Sequence, residues 1–372
     1  MPCLEGENSF KMEKFAFIFH PLSIQDMEHV SPIMRYLPDS FIEACLRYKK
    51  PFKVSHITGL KSNYAEAEGW FIGCTLTAKQ MVTLPEEFVV DRIIECGKIA
   101  QDLGAKIVGL GAFTSIVGDG GITIAKNLDI AVTSGNSYTV ATAVQGTEAA
   151  VKLMGKKLED CRAVVVGASG SIGSACVKLL ANKVKHLTLV ARRLEPLEEL
   201  AQEIGKISTS EIEVTNHISS ALRCADVVIT VTSALDFIIS PGDLKPGAVV
   251  CDVARPRNVS REVSLKRNDV LVIEGGIISL PGDVNFNFNF GFPKNTSYAC
   301  MAETMLLALE GRYENFSLGR SLSIDKIKII SELADKHDFK LAGFRNFERA
   351  VTEQHIQEVK HNAELALAIH RK

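Results

Sequence analysis

Residues 163–173 read Ala-Val-Val-Val-Gly-Ala-Ser-Gly-Ser-Ile-Gly, an apolar run that breaks into glycine at Gly167, Gly170 and Gly173. The run predicts a buried strand, and the glycines predict a tight turn into a helix. In a dinucleotide site each glycine has its own task. Gly167 permits the turn, Gly170 lets the backbone approach a pyrophosphate, and Gly173 lets the helix pack close to the strand. Ser169, Ser171 and Ile172 complete the loop, and the helix N-terminus adds unpaired N–H groups and a positive dipole end. The flanks agree with this reading. Ser174–Leu180 continues with helical spacing, and the next apolar strand, Leu187–Val190, ends in Ala191-Arg192-Arg193. NAD sites usually place an acid at that strand end, against the ribose 2′-hydroxyl. Guanidinium groups at Arg192 and Arg193 suit a 2′-phosphate instead, a solvated surface pair being the alternative, so the expected cofactor is NADPH.

Outward from that loop, residues 158–284 read as one Rossmann domain. Apolar strands recur at Ala163–Val166, Leu187–Val190, Glu211–Val214, Val227–Thr230, Ala248–Asp252 and Val270–Glu274. Segments between them, such as Pro196–Gly205, have helical composition, and the alternation predicts an α/β fold with a doubly wound parallel sheet. Thr232 and Ser233 follow the fourth strand and Ala254 the fifth. Open sheets bind ligands at the carboxyl ends of their strands, so these three are candidates for the cofactor wall; they equally suit plain turns.

Residues 14–157 predict an N-terminal α/β substrate domain. Strands are expected at Phe15–Phe19, Trp70–Leu76, Lys106–Leu110 and Asp129–Val132, and helices at Ser40–Tyr48 and Thr139–Met154. Pro85-Glu86-Glu87 starts a further helix that Gly104 stops. Residues 285–372 form a C-terminal helical segment expected to pack on the cleft, with helices at 298–310, 324–336 and about 345–370. Residues 285–292 alternate asparagine and aromatic residues, a strand pattern that also suits an ordered loop over a pocket.

The bulk numbers exclude several classes. A chain of 372 residues suits two domains, and 46% hydrophobic with 23% charged residues is ordinary for a globular protein. The net charge of −2, without a basic block, offers no nucleic-acid footprint. No apolar run reaches the ~18 residues of a membrane span. Met1–Phe10 is polar and mixed, unlike a signal peptide. Nine cysteines lack CxxC or zinc-like spacing, as expected of free thiols in a reducing cytoplasm, and no metal site is expected.

One cysteine stands apart. In residues 295–311, Ser297 reads as an N-cap, Gly311 as the residue past the helix end, and Cys300 as a first-turn residue. A first-turn cysteine feels the positive dipole end, which stabilises the thiolate that attacks acyl carbonyls; a packed, inert thiol is the alternative. Cys161, Cys176, Cys224 and Cys251 read as packing on Rossmann elements, and Cys45, Cys74 and Cys96 as packing in the first domain, with Cys3 in a loose terminus. His20 follows the first strand, placed to face the cleft as an acid or donor or to sit as a satisfied strand-end residue.

Taken together these segments resemble the long-chain acyl-[acyl-carrier-protein] reductases known from cyanobacteria. The resemblance runs over roughly residues 14–340. It rests on His20, Gly109–Val117 (Gly-Leu-Gly-Ala-Phe-Thr-Ser-Ile-Val), Thr133–Thr139 (Thr-Ser-Gly-Asn-Ser-Tyr-Thr), the Gly167–Gly173 loop, Glu274–Ile277 and Ala299–Gly311. It implies reduction of a fatty acyl thioester to an aldehyde with NADPH, through an acyl group on Cys300. Ser115, Asn136 and the N–H groups around Cys300 then become candidate oxyanion donors, turn formation being the alternative for Ser115 and Asn136. The implied acyl donor is an acyl-carrier protein or acyl-CoA, with an aldehyde-consuming enzyme as a further partner. A long alkyl tail requires an apolar tunnel, for which Phe286, Phe288, Phe290, Phe292 and Trp70 are candidates, core packing being the alternative. The tail beyond about residue 345 and the Asn/Phe-rich stretch depart from the family and leave chain length and carrier open. Two other readings compete. A shikimate-dehydrogenase-like reductase of a small ketone needs a Lys–Asp pair, for which Lys126 and Asp129 are the nearest residues. A non-catalytic NADP-binding module needs no reactive cysteine.

Overall fold

The computed structural model describes residues 11–28, 35–347 and 349–370. Met1–Phe10, with Cys3, and the last two residues lie outside them. The first domain contains β1 (Met12–Phe19), α1 (Asp39–Tyr48), β2 (Phe52–Lys61), β3 (Glu66–Gly73), α2 (Ala78–Thr83), α3 (Glu86–Asp102), β4 (Ile107–Leu110), α4 (Ile122–Lys126), β5 (Ala131–Thr133) and α5 (Asn136–Leu153). The second contains β6 (Arg162–Val166), α6 (Ser171–Leu180), β7 (His186–Val190), α7 (Glu195–Gly205), β8 (Glu211–Thr215), α8 (Ile218–Arg223), β9 (Val227–Thr230), β10 (Val249–Asp252), α9 (Arg261–Lys266) and β11 (Leu271–Glu274). The chain closes with β12 (Ile277–Ser279), β13 (Gly282–Asn285), β14 (Thr296–Tyr298), α10 (Ala299–Leu309), α11 (Ile324–Lys336), β15 (Lys340–Leu341), β16 (Phe344–Asn346), β17 (Arg349–Val351) and α12 (Glu353–His370).

The second sheet has the order β8-β7-β6-β9-β10-β11 with every pair parallel, a doubly wound Rossmann sheet. The chain reverses its winding between β6 and β9, so a crevice opens above their carboxyl ends. All six expected strands form, within two residues of the expected limits.

The first sheet is mixed, in the order β13-β2-β3-β1-β4-β5, with β1 flanked by parallel partners β3 and β4. Side chains alternate across it. Phe15, Phe17 and Phe71 join the core that contains α5 and α10, while Ala16, Ile18, Trp70 and Ile72 pack beneath α3. Pro85 precedes α3, Glu86 and Glu87 occupy its first turn, and Gly104 follows its end with φ +86°. β2 is absent from the sequence reading, and the strand expected at Trp70–Leu76 starts and ends earlier, at Glu66–Gly73. The C-terminal segment also divides. α10 packs on α5, β1 and β4 in the first domain. The tail expected as one helix from about 345 is instead a hairpin, β16–β17, followed by α12. That unit packs on the second domain, where β16 lies against β11 and Asn362 donates to the Asn268 carbonyl at 3.2 Å.

Helix α10 sits on β4 because Gly109 leaves room for it. A Cβ on Gly109 would lie 2.0 Å from Thr304 Oγ1 and 2.6 Å from the Phe17 ring. Gly109→Ala is expected to destabilise the protein by about 1–3 kcal/mol, seen as a lower urea midpoint that Thr304→Ala partly restores. An unchanged midpoint would contradict this seating of α10.

Candidate active site

The N-termini of α5 and α10 meet at one point. Gly135, with φ +73°, precedes α5, and a Cβ there would fall 2.4 Å from Cys300 Cα. On the other side Gly276, with φ +71°, leaves space for Ala299 and Thr142. Cys300 therefore packs against the turn before α5, while its neighbour Ala299 packs against the turn after β11. Tyr298 takes the N-cap position of α10 in place of Ser297, whose hydroxyl donates to the Tyr298 carbonyl at 3.2 Å. Gly311 lies past the helix end with φ +63°, where the sequence put it.

The thiol is not the ready thiolate that a first-turn position suggests. The backbone N–H groups of Met301 and of Cys300 itself favour the thiolate, and so does Arg255. Loss of water outweighs them, with Glu303 adding to it, and the Cys300 pKa is pushed up to about 12. The side chain still lies half-buried on the wall of the cavity rather than in the core.

That cavity, of about 1580 Å³, brings together His20, Ser115, Asn136 and Cys300 with Gly167, Ser169, Gly170, Ser171, Ile172, Arg192, Arg193, Thr232, Ser233 and Ala254. Gly173 lies beneath it, as a packing glycine should; a Cβ there would meet the Gly167 carbonyl oxygen at 2.1 Å. The residues fit a dinucleotide. Gly167, with φ +90°, turns the chain and donates to the Val190 carbonyl at 2.8 Å. A Cβ on Gly170 would meet only the Gly167 carbonyl, at 3.3 Å, leaving that face open. Arg192 and Arg193 are exposed at the end of β7, and neither has an ion-pair partner among the described residues. Thr232 is fixed by Asn258, whose Oδ1 accepts from its N–H and hydroxyl, both at 3.0 Å.

The expected oxyanion donors differ in availability. The Ser115 hydroxyl donates to the Ala112 carbonyl at 2.7 Å. The Asn136 side chain, at the first position of α5, has no hydrogen-bond partner among the described residues. His20 is neutral and fully engaged. Its Nδ1–H donates to the Pro21 carbonyl at 2.9 Å, and its Nε2 accepts the Phe113 N–H at 3.1 Å. Burial drops its pKa to about 4, so in this state His20 braces the loop after β4 instead of holding a proton to donate.

The aromatic stretch is a loop, not a strand, beyond Asn285. Phe288, Phe290 and Phe292 line the cavity, while Phe286 stacks on Phe71 behind them with centroids 5.6 Å apart. Trp70 faces the other side of the sheet, stacked on His56, and does not line the cavity. Among the cysteines read as packing, Cys45 and Cys224 are exposed, because each lies on the outer side of a short helix or its cap. Lys126 and Asp129 are both exposed and outside the cavity, and Asp129 accepts from Gln101 at 2.9 Å. No group of three His, Cys, Asp or Glu among the described residues is placed to hold a metal ion.

Two residues escaped the sequence reading. Glu303, one turn after Cys300 and wholly buried, accepts from the Thr133 hydroxyl and from the Tyr138 N–H at 2.7 Å. It is the one charged residue in α10, which was its visible signal. Arg255 lines the cavity, pairs with Glu274 at 3.0 Å and donates to the Tyr298 hydroxyl at 3.3 Å.

Residues 148–274 match the family model described as shikimate / quinate 5-dehydrogenase, about a third of the chain. The chain is 31% identical over 364 residues to the aminotransferase PigE of Serratia sp., covering 93% of this chain but only 42% of that protein's length. It is 29% identical over 351 residues to the long-chain acyl-[acyl-carrier-protein] reductase of Synechococcus elongatus, covering 88% of this chain and 98% of the other. Among solved structures, L-tryptophan dehydrogenase from Nostoc punctiforme aligns with a TM-score of 0.40 and 13% identity, over 96% of this chain and 88% of the other. The glycine loop, the sheet and the matched domain make the chain an NAD(P)-dependent reductase with NADPH as its cofactor.

Two outcomes are expected here. Replacing Arg192 and Arg193 with alanine removes charge-assisted pairing of about 1.5–3 kcal/mol, so NADPH should bind about 10- to 100-fold more weakly in a fluorescence titration while NADH is unaffected; equal losses for both would contradict the assignment. Because the folded-state pKa of His20 lies below its unfolded value, its contribution is complete above pH 6.5 and is lost as pH falls towards about 4. Unfolding free energy should fall by about 1.4 kcal/mol per pH unit through that window from this group, and His20→Asn should flatten the slope. An unchanged slope would count against a buried neutral imidazole.

Proposed function

We propose that the chain reduces long-chain fatty acyl thioesters to aldehydes with NADPH, by way of an acyl group held on Cys300. The observation that carries this reading is a single cavity whose wall includes the glycine loop, the Phe288–Phe292 cluster and Cys300. The Synechococcus relative, named for the same reaction, supports it over nearly its whole length. The acyl donor is then an acyl-carrier protein or acyl-CoA, and the product is a substrate for an aldehyde-consuming enzyme.

The chain's residues divide the work. Cys300 Sγ attacks the thioester carbonyl, a new C–S bond forms, and the bond to the donor sulfur breaks. The raised pKa makes this exchange proton-neutral: the proton that leaves Cys300 ends on the departing donor thiol. Asn136 and the N–H groups at the start of α10 are the donors nearest to hand for the developing oxyanion, and Ser115 would first have to release Ala112. The phenylalanine wall keeps water from hydrolysing the acyl-enzyme. Bound NADPH supplies the hydride that reduces the acyl group. The C–S bond to Cys300 then breaks as the aldehyde forms, and the departing thiolate takes up one proton from solvent.

Cys300→Ser is expected to abolish aldehyde formation while NADPH affinity stays within about twofold; turnover near the wild-type rate would overturn the proposal in favour of a reductase without a covalent step. In the free enzyme, iodoacetamide should modify Cys300 slowly at pH 7 and about tenfold faster per pH unit up to about pH 10, since only the thiolate reacts. A plateau below pH 8 would contradict the protonated resting thiol.

A further inference from the structure

Among the described residues, no hydrogen bond joins the backbone of residues 287–293 to the backbone of another segment. This stretch nonetheless carries the aromatic wall of the cavity, so side chains must hold it. Within it, Asn285 and Asn289 each accept from the N–H two residues further on, at 2.9 Å, which folds it into successive turns. At one end the Asn287 amide donates to the His56 carbonyl of β2 at 2.8 Å. At the other the Arg345 guanidinium, on β16, donates to the Gly291 carbonyl at 3.2 Å and lies 4.7 Å from the Phe292 ring centroid.

The contacts continue inwards from Arg345. Phe292 meets Tyr298 with ring centroids 4.4 Å apart, and the Arg255 guanidinium lies 5.3 Å from the Tyr298 ring. A chain of contacts, guanidinium to ring to ring to guanidinium, thus runs from the C-terminal hairpin to the residue two before Cys300. Arg345 is only 8% exposed and lines the same cavity as Cys300. Shielded from water, its hydrogen bond and its ring contact keep a strength that an exposed arginine would lose.

We propose that Arg345 is a positioning residue that holds the Phe288–Phe292 wall closed over Cys300, so that an acyl group on that sulfur is reduced rather than lost to water. The proposal rests on the acyl-thioester reading above for its chemistry. In the losing reaction a water molecule enters and its oxygen bonds to the acyl carbonyl carbon. The C–S bond breaks, a proton from that water returns to Cys300, and fatty acid leaves with NADPH unspent.

The test compares the full chain of wild type with Arg345→Met, Arg345→Lys and Asn287→Ala, each checked for fold by circular dichroism. In the free enzyme at about pH 9, iodoacetamide should modify the Cys300 peptide about tenfold faster in Arg345→Met than in wild type. With palmitoyl-CoA and NADPH, wild type should release mainly aldehyde, and Arg345→Met about equal amounts of palmitate and aldehyde. Asn287→Ala, which frees the other end of the stretch, should move both readouts the same way. Arg345→Lys, which keeps a cationic donor without the planar fork, should fall between wild type and Arg345→Met. Wild-type alkylation rates in the variants, or a wild-type ratio of palmitate to aldehyde, would overturn the proposal. Should Arg345→Met fail to fold, unchanged readouts in Arg345→Lys and Asn287→Ala would overturn it equally. Absence of an acyl adduct on wild-type Cys300 would sink the acyl-thioester reading, and the alkylation rates would still judge the wall. An adduct that the variants hydrolyse no faster would sink the role of Arg345 alone.

Discussion

A buried carboxylate holds the two halves of the site in register. Glu303 lies in α10 with no contact with water, yet its oxygens take the Thr133 hydroxyl and the Tyr138 N–H. Burial raises its pKa, and those donors pull the other way. The bond to Tyr138 satisfies one of the unpaired N–H groups in the first turn of α5 and places negative charge at that helix's positive end. Ser134 and Ser137 are tied in turn to Ser317, through the Ser317 carbonyl and hydroxyl. The turn that packs against Cys300 is thus fixed from two directions, and the glycine at 135 allows the approach.

This arrangement explains the state of the sulfur. The contacts that hold α10 in place also strip Cys300 of water and put a carboxylate one turn away, so the dipole end of α10 cannot keep the thiol ionised. A protonated resting cysteine beside a large apolar cavity is protected from oxidation and stray alkylation. A thiol that exchanges with a thioester needs no net proton acceptor, so a high pKa is compatible with acyl transfer.

Much of the fold was legible because the Rossmann half obeys short-range rules. Its strands are apolar runs bounded by turn residues, and its glycines are dictated by a turn and a close helix–strand contact that local sequence encodes. The misses have physical reasons. Strand β2 carries mixed polarity and two register shifts against β3, so it shows no clean period of two. The tail after 345 reads as helix by composition, but Phe344–Asn346 and Arg349–Val351 pair as a hairpin beside β11. For Trp70, read as either tunnel wall or core, strand alternation from Phe71 decides for the core on the opposite face. Glu303 shows in the sequence only as a lone charge in an apolar helix, because its partners lie 165 and 170 residues away. For His20 the sequence offers a cleft acid or a satisfied strand-end residue, and the structure matches the second, although only the fold identifies the Phe113 N–H as its partner.

The account stands or falls on whether that shielded thiol carries the acyl group. Intact and peptide mass spectrometry after incubating the protein with a long-chain acyl thioester, in the absence of NADPH, tests it directly. The account predicts one acyl mass increment, on the peptide that contains Cys300, which disappears when NADPH is added. An increment confined to other cysteines, or none at all while aldehyde still forms with NADPH, would contradict it.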